Sequence, residues 1–93
     1  MNSYEMIAIL SPQLESEEID EAIEKISNAI SQNGGTDEIS SLKGRKRLAF
    51  PINDHIDGNV VLSTFNVDPD KVNQITEALR QDERYLRNMV VRV

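Results

Sequence analysis

The stretch VVLSTFNVDP, residues 60–69, joins a strand pattern directly to a helix start. Its β-branched and aromatic residues predict a strand over residues 60–67. The side chains predicted to face a core are Val61, Ser63, Phe65 and Val67. Val60 and Leu62 then point to the other side of the strand, because successive side chains alternate. Asp68-Pro69 suits the N-cap and first position of a helix, so a helix is expected to follow at once.

The segments on either side of this stretch extend the pattern. A second helix is predicted after it, with a buried stripe formed by Val72, Ile75, Ala78 and Leu79. Residues 89–93 then predict the last strand. Upstream, residues 53–58 are rich in turn formers, and residues 36–52 favour an extended chain that bends or bulges near Gly44. Residues 36–67 are therefore expected to form an antiparallel hairpin.

The first third of the chain supplies one more strand and one more helix. Residues 4–10, YEMIAIL, predict the first strand. The helical stripe that follows consists of Ile19, Ala22, Ile23, Ile26 and Ile30. Ser16 is the predicted N-cap, and Asn33-Gly34-Gly35 is the predicted end, since glycine readily adopts a left-handed conformation there.

The predicted element order is βαββαβ. The simplest way to fold it is the ferredoxin-like α+β arrangement, a four-stranded antiparallel sheet with two helices on one face. A length of 93 residues predicts one domain spanning residues 1–93, with one modest core.

The other face of such a sheet has no helix over it. If Met6, Ala8 and Leu10 face the helices, Ile7 and Ile9 must point to the open side. The predicted open-face patch is formed by Ile7, Ile9, Val60, Leu62, Met89 and Val91, and the last strand is ambiguous because Val90 and Val91 are adjacent. A contiguous patch of this kind favours partner binding; the alternatives are dimerisation through the patch or cover by side chains from the sheet edges.

Charge is unevenly distributed along the chain, whose net charge is −6. Residues 1–42 carry one base and nine acids, whereas residues 43–93 carry nine bases and seven acids. The segment GRKRLAFPI, residues 44–52, contains three consecutive cations on a predicted edge strand, while Arg87 and Arg92 lie on the other edge strand. Cations flanking an apolar face suit RNA phosphates. Only Tyr4 offers a ring near that face, so base-specific stacking is not expected.

The sequence offers little for catalysis. It has no cysteine and one histidine, His55, in a predicted turn, so no metal site, cofactor or catalytic residue is expected. The acids of the first helix suit a solvated face. The N-terminal residues lack a secretory pattern, and the longest apolar runs are too short to span a bilayer, so cytoplasmic residence is expected.

Four motifs in order resemble the bacterial ribosomal protein S6 family of the small ribosomal subunit. They are Tyr4-Glu5 at the start of the first strand, the segment Gly44 to Ile52, Gly58 before the third strand, and Arg87 to Arg92 at the end. The second motif is similar to the family pattern W-G-x-R-x-L-A-Y-P-I, and the resemblance covers essentially the whole chain.

The resemblance implies a ribosomal role during assembly and translation. It implies a ferredoxin-like protein that pairs with ribosomal protein S18 and binds the central domain, or platform, of 16S ribosomal RNA. The implied RNA-binding residues are Tyr4, Arg45, Lys46, Arg47, Arg87 and Arg92. The implied protein-partner face is the open-face patch already named. Within GRKRLAFPI, the cations are expected to project toward phosphate while LAFPI holds the edge in the sheet and core.

Two other classes share the βαββαβ order. An ACT-like module would bind a small molecule at a subunit interface, usually as part of an enzyme. An acylphosphatase-like enzyme would need a glycine-rich phosphate cradle after the first strand, where this chain has Ser11-Pro12-Gln13-Leu14.

Overall fold

The computed structural model describes residues 1–52 and 55–93. The elements in chain order are β1 (Asn2–Leu10), α1 (Ser16–Gln32), β2 (Thr36–Ile52), β3 (His55–Val67), a 3-10 turn (Pro69–Lys71), α2 (Val72–Arg80) and β4 (Tyr85–Arg92). The predicted βαββαβ order is confirmed.

The strands form an antiparallel sheet of order β2-β3-β1-β4. β2 and β4 are therefore the edge strands, as predicted. The α+β ferredoxin-like arrangement follows from this order, because each half contributes one central strand, one edge strand and one helix.

The core lies between the sheet and the helices. Met6, Ala8 and Leu10 of β1 are fully buried there, as predicted. Other large core side chains include Ile26 and Ile30 of α1, Ile75 and Leu79 of α2, and Val61, Phe65 and Val67 of β3. Burying one such aliphatic side chain contributes roughly 1.5–3 kcal/mol. We call this side of the sheet the helix face and the opposite side the open face.

Two details of the helices differ from the sequence predictions. Glu15, not Ser16, is the N-cap of α1, and its backbone N–H donates to Oε1 of Glu18 at 3.0 Å. The predicted end of α1 is confirmed, since Gly34 has φ +80°. In α2, the expectation that Ala78 is buried is wrong: the inward stripe is Val72, Ile75 and Leu79, and Ala78 is exposed.

The hairpin between β2 and β3 is longer than predicted. Residues 55–58 were expected in a turn but belong to β3. The rest of that predicted turn, Asn53 and Asp54, lies outside the described residues. The bend near Gly44 is confirmed by a register shift between Leu42 and Gly44. Gly44 has φ +90°, a conformation that side-chain-bearing residues rarely adopt.

Candidate RNA and protein interface

The sheet register defines three rows of side chains on the open face. The first row, from β2 to β4, is Ile39, Thr64, Glu5 and Val91; the second is Ser41, Leu62, Ile7 and Met89; the third is Gly44, Val60, Ile9 and Arg87. Directly opposed side chains lie on the same face and contact one another. The apolar patch predicted from the sequence is thus built by pairing β1 with both of its neighbours.

The register of β4 resolves the ambiguity of the last strand. Met89 lies opposite Ile7 and Val91 opposite Glu5, so both side chains are on the open face. Val90 lies opposite Met6 and packs against the core. Met89 is 37% exposed and Val91 is 54% exposed. β4 therefore presents apolar surface at the edge of the patch.

Ile9 differs from the other members of the patch because it is buried. It points to the open face, but only 9% of it is exposed. A cleft of ≈ 250 Å³ lies between Ile9, Arg87 and residues 48–52 of β2. Side chains from the β2 edge thus cover this end of the patch, which is one of the alternatives that the sequence left open. A partner on the open face would meet Ile7 and Leu62 before it met Ile9.

β2 and β3 continue beyond the end of β1. The last residue pair between β1 and β3 is Leu10 with Asn59, whereas β2 and β3 remain paired as far as Ile52 with His55. We call this two-stranded extension, residues 46–52 and 55–58, together with Arg45 at its base, the arm. It contains the three consecutive cations.

The expectation that LAFPI holds the edge in the core is wrong. Phe50 is 81% exposed, Ala49 and Pro51 are exposed, and Leu48 and Ile52 are half-buried. The register shifts between Arg47 and Ile52, so this segment bulges away from β3 instead of pairing along it. In the described part of the chain the arm also has no third strand beside it, so its apolar side chains are not buried in the helix-face core.

The cations of the arm point to both of its sides. Lys46 lies opposite Gly58 on the side continuous with the open face, whereas Arg45 and Arg47 lie opposite Asn59 and Asp57 on the other side. All three are exposed. Nε of Arg45 donates to Oδ2 of Asp57 at 2.6 Å, and this hydrogen bond raises the pKa of the Arg45 guanidinium above its usual value. Two of the cations thus share one carboxylate neighbour.

The two arginines of β4 lie on different faces. Arg87 is opposite Ile9 on the open face, whereas Arg92 is opposite Tyr4 on the helix-face side of the sheet. Both are exposed, and Nη2 of Arg92 lies 3.4 Å from Oδ1 of Asn2. The structure therefore brings Arg87, but not Arg92, to the open face.

The expectation that the Tyr4 ring lies near the open face is wrong. Tyr4 has the same strand parity as Met6, so its side chain points to the helix face. It is only 8% exposed, and its ring stacks on Phe65 with centroids 6.1 Å apart. The ring is therefore a core group.

The open-face residues that were not predicted from the sequence include Ile39 and Glu5. Ile39 is 67% exposed and extends the first row onto the β2 edge. Glu5 is a half-buried carboxylate in the same row. Alternation along β1 was sufficient to place Glu5 beside Ile7 and Ile9, whereas Ile39 needed the register of the hairpin.

Within residues 1–52 and 55–93, no group of three or more metal-ligating side chains could hold a metal ion. His55 lies in β3. Neither helix of the described chain is long and apolar enough to cross a membrane.

Comparison with known structures supports the fold. The 30S ribosomal protein S6 from Thermotoga maritima superposes with a TM-score of 0.92, covering 99% of this chain and 87% of that chain, at 19% sequence identity. At this identity the likeness is one of fold.

Sequence comparison adds the family. The small ribosomal subunit protein bS6 of Caldanaerobacter subterraneus is 36% identical over 94 residues, covering 99% of this chain and 97% of the relative. That of a Nocardioides species is 32% identical over 92 residues, covering 99% and 96%. The family model for ribosomal protein S6 matches residues 3–92. The chain therefore belongs to the ribosomal protein S6 family, a family of structural proteins of the small ribosomal subunit and not of enzymes.

Proposed function

We propose that this small-subunit protein binds the central domain of 16S ribosomal RNA jointly with ribosomal protein S18. The observation that carries the proposal is the position of the arm, which presents Arg45, Lys46 and Arg47 next to the apolar rows of the open face. The cations of the arm suit phosphate, and the apolar rows of the open face suit a protein. Family membership puts the chain in the small subunit of the cytoplasmic bacterial ribosome, as expected from the sequence.

Charge separation supports an RNA role for the arm. The acids of α1 lie on the helix-covered side, and five of them, Glu17, Glu18, Asp20, Glu21 and Glu24, are exposed there. The arm projects past the end of β1, and its three cations are exposed to an approaching polyanion. Arginine forks hydrogen-bond phosphate oxygens with two donors, and lysine adds a point charge. Arg87 at the other side of the cleft would extend this contact across the open face.

The apolar rows support a protein partner beside the RNA. Ile7, Leu62 and Met89 form one continuous row across β3, β1 and β4. The partner would cover these side chains and the exposed Val91. Because the chain carries a net charge of −6, a basic partner would also lower the electrostatic cost of bringing it to RNA. Joint binding is therefore favoured over binding by the chain alone.

The test is binding of the purified chain to a platform-region RNA fragment, with and without S18, over a range of salt concentrations. We expect binding that requires both proteins and weakens as salt rises. In the variant Lys46→Ala/Arg47→Ala, the slope of log K against log salt should fall by roughly one for each lost phosphate contact.

The variant Lys71→Ala/Arg80→Ala is the matched control. It also removes one lysine and one arginine, but from the 3-10 turn and α2. Its affinity and salt slope should match those of the unmodified chain. Equal behaviour of the two double variants would exclude phosphate binding by the arm. Failure of the unmodified chain to bind RNA or S18 in any combination would exclude the proposed function.

A further inference from the structure

Glu5 is a charged residue surrounded by uncharged side chains on the open face. Its direct cross-strand neighbours are Thr64 on β3 and Val91 on β4, and Ile7 follows it on the same side of β1. Glu5 lies on a central strand, so other strands flank it on both sides. Its carboxylate is therefore embedded in the patch that we assign to a protein partner.

The Glu5 carboxylate makes no ion pair with any of the residues that the structure describes. It is half-buried, and among residues 1–52 and 55–93 no cationic nitrogen lies within ion-pair distance of it. Arg87 shares the open face but lies opposite Ile9, four residues further along β1. At about 3.3 Å per residue this separation is roughly 13 Å, too far for a hydrogen-bonded pair. Covering such a carboxylate with apolar surface would cost free energy unless the cover brought a cation.

We propose that Glu5 is the charged anchor of the protein-partner interface and receives an arginine or lysine of a basic protein docked on the open face. The inference rests on the proposed function and adds the residue that selects the partner. A protein cation fits this site better than RNA does, because a carboxylate repels phosphate. The apolar neighbours Ile7 and Val91 are also suited to the dry centre of a protein interface. A neutral or acidic protein would leave the carboxylate unpaired and would be rejected.

The test replaces Glu5 by its neutral isostere in the variant Glu5→Gln and measures affinity for S18 over a salt series. Loss of one member of a desolvated ion pair should weaken S18 binding by at least about tenfold. The remaining affinity should also depend less on salt, since one charge pair is gone. Glu5→Lys should weaken binding further, by like-charge repulsion.

The control variant Glu24→Gln makes the same change in net charge at an exposed position of α1, away from the open face. Its S18 affinity and salt dependence should match those of the unmodified chain. Thermal unfolding separates binding from folding: Glu5→Gln should unfold at or above the temperature of the unmodified chain, because it removes a half-buried charge that has no partner.

Three outcomes would overturn the inference while leaving the proposed function intact. One is S18 affinity of Glu5→Gln within twofold of that of the unmodified chain. Another is self-association of Glu5→Gln with unchanged S18 affinity, which would make Glu5 a residue that only keeps the open face monomeric. The third is equal weakening by both variants, which would indicate net charge and not a local pair. Failure of the unmodified chain to bind S18 would instead remove the proposed function itself.

Discussion

Nε of Arg45 lies 2.6 Å from Oδ2 of Asp57, so the first cation of the arm is held by a carboxylate on the neighbouring strand. The same carboxylate lies directly opposite Arg47. A phosphate approaching this side of the arm must therefore compete with Asp57 for the Arg45 guanidinium, and near Arg47 it would also meet the negative charge of Asp57. Asp57 fixes the position of Arg45 in the free protein and at the same time lowers the positive potential that RNA would meet.

We predict that Asp57→Asn strengthens binding to the platform RNA in the presence of S18 by several-fold. The change releases Arg45 and removes one negative charge next to the arm, so the salt dependence should become steeper. RNA affinity over a salt series is the measurement. Asp70→Asn, on the 3-10 turn, makes the same charge change and should have little effect. Equal affinities for the two variants would mean that Arg45 and Arg47 do not contact phosphate.

Tyr85 connects the start of β4 to the middle of α1. Its buried hydroxyl donates to the carbonyl oxygen of Ala22. We predict that Tyr85→Phe lowers the free energy of unfolding by about 1–2 kcal/mol, because a buried carbonyl loses a hydrogen bond. Urea unfolding followed by circular dichroism measures the change. Tyr4→Phe is the control: the Tyr4 ring packs on Phe65, and we expect a change below about 0.5 kcal/mol.

The same hydroxyl makes stability depend on alkaline pH. Burial raises the pKa of Tyr85 well above the ordinary value of about 10. Because the pKa is raised in the folded state, the neutral Tyr85 hydroxyl contributes its full stabilisation of the fold below pH 10. This stabilisation decreases as pH rises above 10. Between pH 9 and 11, the unmodified chain should therefore lose more stability than Tyr85→Phe does. Parallel losses in the two chains would contradict this account.

Asp82 makes stability depend on acidic pH. It accepts hydrogen bonds from the Arg84 guanidinium, with Nη2 at 2.7 Å, and from Nζ of Lys25 of α1 at 3.0 Å. The Arg84 bond is the main reason that the pKa of Asp82 lies far below its usual range, against an opposing effect of burial. A lowered pKa means that the stabilisation is complete above about pH 4 and is lost as pH falls further.

We predict that Asp82→Asn costs about 2 kcal/mol at pH 7, since hydrogen bonds to charged groups are among the stronger ones. The difference from the unmodified chain should shrink steadily below pH 4 in urea unfolding experiments. Glu77→Gln is the matched control because its ion pair with Arg80 is largely exposed, with side chains 59% and 76% accessible. Such surface pairs contribute little, so its cost should stay below about 0.5 kcal/mol. A loss of stability in Asp82→Asn that does not depend on pH would contradict the role of the ionised Asp82 carboxylate.

Gly58 of β3 packs closely against the end of β1. A Cβ atom there would stand 2.6 Å from Cγ2 of Ile9 and 3.0 Å from the carbonyl oxygen of Leu10. We predict that Gly58→Ala lowers the free energy of unfolding by about 1–3 kcal/mol, because the residue overpacks against a side chain and a backbone. The added methyl group should also displace Ile9, whose side chain points to the open face, and so weaken S18 binding. A fully stable variant would show that β1 and β3 can separate locally at little cost.

Strand alternation predicted much of the sheet. The alternation of side chains predicts that Met6, Ala8 and Leu10 of β1 and the odd-numbered residues of β3 face the helices. The prediction holds because β1 and β3 are the central strands and pair in one continuous register. The same alternation places Tyr4 on the helix face, although the sequence interpretation assigned it to the open one. Tyr4 is two residues before Met6 on the same strand, so alternation puts both side chains on one face, as observed.

The β4 register and the arm could not be predicted in the same way. Val90 and Val91 have equal strand propensity, and only pairing with β1 selects Val91 for the open face. The LAFPI segment is as apolar as a core strand, but it lies beyond the end of β1, where the described strands provide no third neighbour for it. Its exposure is a property of relative strand lengths, which a local pattern does not encode.

The extension of β2 and β3 past β1 divides β3 into two parts with different neighbours. Residues 60–64 are paired with β1 on one side and β2 on the other, whereas the described pairs of residues 55–58 are all with β2. Hydrogen bonds with a strand on one side only can open without the rest of the sheet, so the outer part is able to unfold locally while the inner part stays closed. Changes in the arm beyond Gly58 can therefore alter the proposed RNA-binding surface while leaving the stability of the fold nearly constant, and this gives that surface freedom to vary in evolution that the core does not have.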